Sequence, residues 1–345
     1  MDSLTQALLG ATIQGAVLGR WQGRKALLYG ALLGTLPDLD VVIRYSDAVD
    51  TMTHHRGFSH SLFVLSALAA LLTWLVRRLR PHPGYSTRRL FLGLWLVLAT
   101  HPLLDCFTSY GTQLFWPMLT PPVAWSSIFI IDPLYSLPLL AAVLGGLLFG
   151  LRGRAPRLPL AALALSSLYL LSTLGGKFMA EQQIAEVLDR EGIRPQAIFS
   201  TPTPFNTLLW RVIVLDGEDY HEALVSWFDH KPPKLERIPR GTELARRLRD
   251  SPQHMRLAWF THGILRYDQI GQVLVVTDLR LGMTGFHPFR FVLAERRDGR
   301  WQPVAEARRW RTERGDLQRL KVLWQRIWHQ DPPVPLSTWA GLLQR

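Results

Sequence analysis

Long apolar runs, confined to residues 4–175, constrain this chain more than any other feature. An uncharged run of about 18 residues must be covered either by lipid or by other protein, and it is long enough to cross a bilayer as a helix. Six apolar segments, most of them near that length, occupy 4–18, 26–43, 58–76, 90–106, 133–151 and 158–175. The first is short and holds Gln6 and Gln14, so it reads as a partial or re-entrant helix. Small residues recur at helical spacing in Gly15/Gly19, Gly30/Gly34 and Gly146/Gly150, a spacing that lets helix backbones approach closely in lipid. From Lys177 onward the chain becomes charged and mixed. The pattern predicts an α-helical transmembrane bundle of about five to six helices over 1–176, followed by a small α+β extramembrane domain over 177–345.

Basic residues suggest which way such a bundle faces. Arg20, Arg24 and Lys25 follow the first run, Arg77, Arg78, Arg80, Arg88 and Arg89 the third, and Arg152, Arg154 and Arg157 the fifth. The intervening loops hold only Arg44 and Arg56, so the count is eleven against two. By the positive-inside rule the basic turns are cytoplasmic, which puts the C-terminal domain on the outer, periplasmic side. The same bias accounts for the net charge of +12 without nucleic acid as a partner. A single cysteine, Cys106, excludes an intramolecular disulfide and a cysteine-based zinc site. No basic stretch and cleavage site precede the first apolar run, so no cleavable signal peptide is expected.

Opposite the basic turns, the ends of the runs collect His and Asp. "LPDLD" holds Asp38 and Asp40; "MTHHRGFSHSLF" holds His54, His55 and His60; "THPLLDC" holds His101 and Asp105; "IIDPLY" holds Asp132. His101 and Asp105 are four apart, on one helix face. His and Asp without Cys suit zinc first, with manganese and iron as alternatives. The ligands Asp38, Asp40, His55, His60, His101, Asp105 and Asp132 are too many for one ion and suit two. A metal pair can activate water and clamp a phosphoester during displacement. Arg56 and His54 are then the catalytic candidates, for binding phosphate and protonating a leaving group. The bland alternative makes Asp132 a helix cap before Pro133, Asp38 or Asp40 a cap at the interface, and His54 a loop residue. Ionisable groups near membrane depth are costly, which favours function for His60, His101 and Asp105. The histidines of the C-terminal half show no ligand spacing, and HExxH, GxSxG and P-loop motifs are absent.

"MDSLTQALLG", "LPDLD", "HHRGFSHSL", "HPLLDCFTSYG" and "IDPLY", in that order, resemble the YdjM-type family of bacterial inner-membrane proteins described as metal-dependent hydrolases. "PTPFNTLLWRV", "WFTHG" and "VVTDLRLG" resemble the C-terminal half of its longer members. The family looks distantly similar to zinc-dependent phospholipases C and P1-type nucleases. The resemblance implies ligand roles for Asp38, Asp40, His55, His60, His101 and Asp105, and a place in the inner membrane. There are two departures. Gln6 stands where many members have His, and the phospholipases' second helical His-x-x-x-Glu has no match.

In the C-terminal half, "KFMAEQQIAEVLDREG" reads as an amphipathic helix stopped by Gly192. "LLWRVIVLD", "GQVLVVTDLRLG" and "FRFVLAERRDGRWQPV" read as strands, with Asp298–Gly299 as a hairpin turn. The expected function is an integral inner-membrane phosphoesterase acting on a lipid or lipid-linked substrate at the outer face, among membrane lipids. The alternative is a non-catalytic scaffold or metal-binding regulatory protein. A transporter ranks last, because the His/Asp cluster gathers at one end instead of the midplane.

Overall fold

A computed structural model describes residues 1–152, 157–311 and 317–344. Arg154 of the third basic turn lies outside them. The chain forms two compact units, one of Met1–Ile43, His54–Trp125 and Ile130–Ser172, the other of Arg44–Thr53, Ser126–Phe129 and Thr173–Arg345.

The first unit is helical. Asp2 opens α1 (Ser3–Gln22) by accepting the Thr5 N–H at 3.0 Å, an N-cap, and Gly23 ends it at φ +59°. α2 (Lys25–Thr35) stops after 11 residues, because Pro37 starts a 3₁₀ turn, Pro37–Val42. Then come α3 (Ala48–His54), which belongs to the second unit up to Thr53, a 3₁₀ turn Phe58–His60, α4 (Leu62–Leu79), α5 (Thr87–Asp105), α6 (Pro133–Phe149) and α7 (Arg157–Glu191), which passes into the second unit at Thr173. α1 packs on α2, α5 and α6, and α4 packs on α5. Leu18, Leu65, Leu90 and Leu98 fill the seam between α1, α4 and α5.

Among the described residues only two helices, α4 and α7, are long and apolar enough to cross a membrane. The expected bundle of five to six transmembrane helices is therefore corrected to an N-terminal helical region joined to a C-terminal antiparallel β-sheet domain. The runs fail for separate physical reasons. α2 rises about 16 Å against a hydrocarbon core of about 30 Å. α1 is long enough but buries Thr5, Gln6, Thr12 and Gln14, so it is a polar-cored packing helix. α5 begins with Arg88 and Arg89 and ends at His101 and Asp105. α6 is apolar but has only 17 residues. In α4 and α7 just 17% and 22% of the apolar window is buried, the reverse of a soluble core helix.

The second unit holds two four-stranded antiparallel meanders. The first is β1 (Ala197–Pro202), β2 (Leu209–Asp216), β3 (Asp219–Ser226) and β4 (Glu236–Pro239). α8 (Thr242–Ala245) and α9 (Pro252–Thr261) lead to the second: β5 (Leu265–Ile270), β6 (Val273–Asp278), β7 (Arg290–Arg297) and β8 (Arg300–Arg309). α10 (Leu317–Trp328) and α11 (Leu336–Ala340) follow. Asp298 and Gly299, at φ +49° and +75°, make the tight turn between β7 and β8. Ala180, Ile184 and Leu188 of α7 cover one face of the first sheet through Trp210, Val212, Ala223 and Val225. Its other face, through Ile213 and Tyr220, packs on Ile264 and Leu279. Among the described residues, the buried ion pairs of this unit include Arg211–Glu222, Arg266–Asp268, Arg280–Asp278 and Arg326–Asp229.

Candidate metal centre

Four of the sequence-selected residues converge in the helical unit. Asp38 comes from the first 3₁₀ turn, His60 ends the second, and His101 and Asp105 sit one above the other in the last turns of α5. One ligand atom from each lies within 4.8 Å of all the others. His60 Nε2 and His101 Nε2 are 3.1 Å apart. Asp38 Oδ1 lies 3.5 Å from His60 Nε2 and 3.4 Å from His101 Nε2, while Asp105 Oδ2 lies 3.2 Å and 3.6 Å from the same two atoms.

The hydrogen bonds behind these atoms fix what they offer. His101 Nδ1 donates to the Gly34 carbonyl at 2.6 Å, so Nε2 presents its lone pair. Ser59 Oγ donates to Asp40 Oδ2 at 2.6 Å and therefore accepts from His60 Nδ1 at 2.9 Å, which turns the His60 Nε2 lone pair inward as well. Asp105 Oδ1 accepts from Gln6 Nε2 at 3.2 Å and pairs with Arg56 Nη2 at 3.2 Å and with the Met1 amino group. Its Oδ2 is buried with no hydrogen-bond partner among the described residues. Four acceptor atoms thus face one another, and a cation between them would relieve the repulsion.

These residues fit a divalent metal. A tetrahedral ion with bonds of about 2.0–2.1 Å has ligand–ligand edges of about 3.3 Å. Five of the six edges here measure 3.1–3.6 Å. The donors are two imidazoles and two carboxylates, a set that takes zinc, manganese or iron.

The other expected site residues stand around the cluster or away from it. Asp40 accepts from the His55 ring at 2.8 Å and the Arg56 backbone N–H at 3.1 Å, so it orients His60 through Ser59 from behind. His55 is half-buried, with its ring edge-on to Tyr110. Arg56 is buried at φ +62°, donates to Thr108 Oγ1 at 3.1 Å and lies over the Tyr110 ring. His54 ends α3, and its carbonyl accepts the Gly57 N–H. Asp132 caps α6 by accepting the Tyr135 N–H at 3.1 Å, and it accepts the Tyr169 hydroxyl at 2.8 Å. Asp132→Ala is therefore expected to cost about 0.5–2 kcal/mol, the loss of a cap, with metal content unchanged. Denaturant titration beside elemental analysis checks it, and a parallel loss of metal would make Asp132 a ligand.

Gly34, Ser59 and Gln6 are the partners that sequence reasoning missed in these roles. Gly34 carried a signal for helix approach, whereas a backbone carbonyl acting on a histidine leaves none.

Residues 1–180 match the model of the YdjM inner membrane protein family. The chain is 34% identical over 93 residues to the inner membrane protein YbcI of Escherichia coli (strain K12), covering 27% of this chain and 52% of that one. It is 29% identical over 152 residues to the uncharacterized protein YfhP of Bacillus subtilis (strain 168), covering 41% of this chain and 45% of that one. The chain thus spans about half the length of the curated relatives it matches. No solved structure matches it.

Proposed function

The chain belongs to the YdjM inner membrane protein family, and from that premise we propose that it is a metal-dependent phosphoesterase acting on a lipid or lipid-linked substrate at the outer face of the membrane. The observation that carries the proposal is the convergence of four buried acceptor atoms from Asp38, His60, His101 and Asp105. A divalent ion bound there would supply Lewis acidity toward a phosphoryl oxygen and toward water.

The chain's own groups would do the rest. Arg56 Nε is buried with no hydrogen-bond partner among the described residues, so its guanidinium has a donor left for a phosphoryl oxygen. His55, held through Nδ1 by Asp40, leaves Nε2 to pass a proton to a leaving group, with His54 beside it in sequence. Leu39, Val41, Val42 and Phe58 are exposed on the turns that carry Asp38, Asp40 and His60. An apolar rim beside buried ligands suits a substrate with acyl or polyprenyl chains.

A second reading, a scaffold or metal-binding regulatory protein, draws on the same geometry: four protein ligands at tetrahedral spacing can close a site against substrate. Turnover separates the two. Detergent-purified protein is expected to hold at least one equivalent of zinc or manganese, and to hydrolyse phospholipid or lipid-linked phosphoesters. Chelation should reduce turnover to background, and the metal should restore it. Turnover of soluble esters alone sinks the lipid substrate, while a metal-loaded protein inert on both classes leaves the scaffold reading.

A further inference from the structure

The second unit carries large aromatic side chains where a soluble surface has polar ones. Phe205, Trp227, Phe228, Trp324 and Trp328 are each 44–56% exposed. They form one patch. Trp324 and Trp328 are one turn apart on α10, and Trp328 stacks on Phe228 at 4.9 Å. Phe205 and Trp324 line one apolar hollow with Leu320 and Leu323. Trp227 Nε1 donates inward to the Thr207 carbonyl at 3.2 Å, which ties its loop to that of Phe205. Phe205 itself is held at φ +64°, a conformation that bulky residues rarely adopt. Leu317, at the start of α10, adds a further exposed apolar side chain, and exposed Lys321 borders the hollow.

What covers this patch follows from where it joins α7. The apolar stretch of α7 ends inside this unit, where Leu174 and Phe178, one turn apart, remain exposed. Thr173 of that turn donates to Ser127 Oγ at 2.9 Å, and Phe129, two residues on, meets the Phe205 ring at 5.3 Å. Gly176 abuts the Trp210 indole, whose Nε1 donates to the same Thr207 carbonyl as Trp227. The aromatic loops are therefore bound directly to the turn at which a candidate membrane helix leaves its apolar stretch. Tryptophan flanked by lysine is the composition of the headgroup–acyl boundary, with an apolar body in the lipid and charges among the phosphates.

We propose that the second unit docks on the bilayer surface through this patch, with Trp324, Trp328, Trp227, Phe228 and Phe205 inserted at the phospholipid headgroup–acyl boundary. This contact stands independently of any catalysis. It would hold the sheet domain against the membrane on two supports, the patch and α7.

The full chain in phosphatidylethanolamine/phosphatidylglycerol proteoliposomes tests it. The native Cys106 is buried, so Trp324→Cys, Trp328→Cys and, as an exposed reference, Arg300→Cys take a nitroxide label selectively. The labels at 324 and 328 are expected to collide with oxygen and to lose collisions with a water-soluble nickel complex, relative to the label at 300. Equal access of the nickel complex at all three positions overturns the proposal. So does dipolar broadening that grows with the protein-to-lipid ratio, which would put a second copy on the patch. Unlabelled wild type gives an independent reading: brominated phospholipids should quench part of its tryptophan emission, and that part should be lost in Trp324→Phe/Trp328→Phe. Unchanged quenching in the double variant counts against the proposal.

Discussion

Asp105→Asn is expected to leave the protein with no metal above background and to cost about 3–5 kcal/mol of stability even when both proteins are compared metal-free. The two losses come from the two oxygens of one buried carboxylate. Oδ2 faces the Nε2 atoms of His60 and His101, and removing its charge removes a ligand. Oδ1 pairs with Arg56 and with the Met1 amino group. Asparagine preserves the shape but leaves buried cations uncompensated. The two effects can be separated, because Arg56→Met on the Asp105→Asn background should restore part of the stability while restoring no metal. Elemental analysis and denaturant unfolding of the single and double variants read this as a double-mutant cycle. Normal metal content in Asp105→Asn would place any bound ion elsewhere.

The sequence pointed to the residues that come together, Asp38, His60, His101 and Asp105, but not to how their neighbours are oriented. The i, i+4 pair His101/Asp105 was legible because helical spacing alone puts both side chains on one face. Asp38 and Asp40 looked equivalent in "LPDLD", but they sit in a 3₁₀ turn, where residues two apart point about 240° from each other. Asp38 therefore faces the cluster, and Asp40 turns back to His55 and Ser59. His55 and His60 likewise read as a pair, yet Arg56 in the left-handed region breaks the chain between them. Asp132 carried a signal for either role, and its carboxylate is occupied as a cap.

The transmembrane count failed for a related reason. Hydropathy sums side chains over a window and is blind to where the backbone must stop, as at Gly23 and Pro37. It also cannot distinguish lipid-facing leucines from those packed between α1, α4 and α5. In the second unit the hairpin at Asp298–Gly299 was legible from turn chemistry. The two-sheet arrangement was not, because β2 is buried on both faces and so lacks the alternation that marks a half-exposed strand.

Gly30→Ala is expected to be among the most damaging methyl additions to the helical unit. A Cβ at Gly30 would overlap the Gly10 carbonyl oxygen and would lie 2.6 Å from Gln14 Cβ and 2.7 Å from the Gly10 carbonyl carbon. A Cβ at Gly34 would come within 2.6 Å of the Gln6 carbonyl oxygen. The obstacles are largely backbone, so no rotamer change relieves them, and α1 and α2 must move apart. Their separation carries the metal centre with it, because Gly34 on α2 holds His101 and Gln6 on α1 holds Asp105. The expected cost is about 1–3 kcal/mol for overpacking, with metal affinity about 10–100-fold weaker from the disturbed hydrogen bonds behind the ligands. Gly15→Ala is the control, since the nearest atoms to its Cβ would all be side-chain atoms, Leu27 Cδ2 at 3.1 Å and then Leu151 Cδ1 at 3.5 Å, and these can shift. Both glycines belong to the same kind of small-residue repeat in the sequence, so spacing alone predicts equal effects. Thermal unfolding and metal titration of the two variants decide between them: a large loss confined to Gly30→Ala means backbone contact between α1 and α2 supports the ligands, and equal effects mean that it does not.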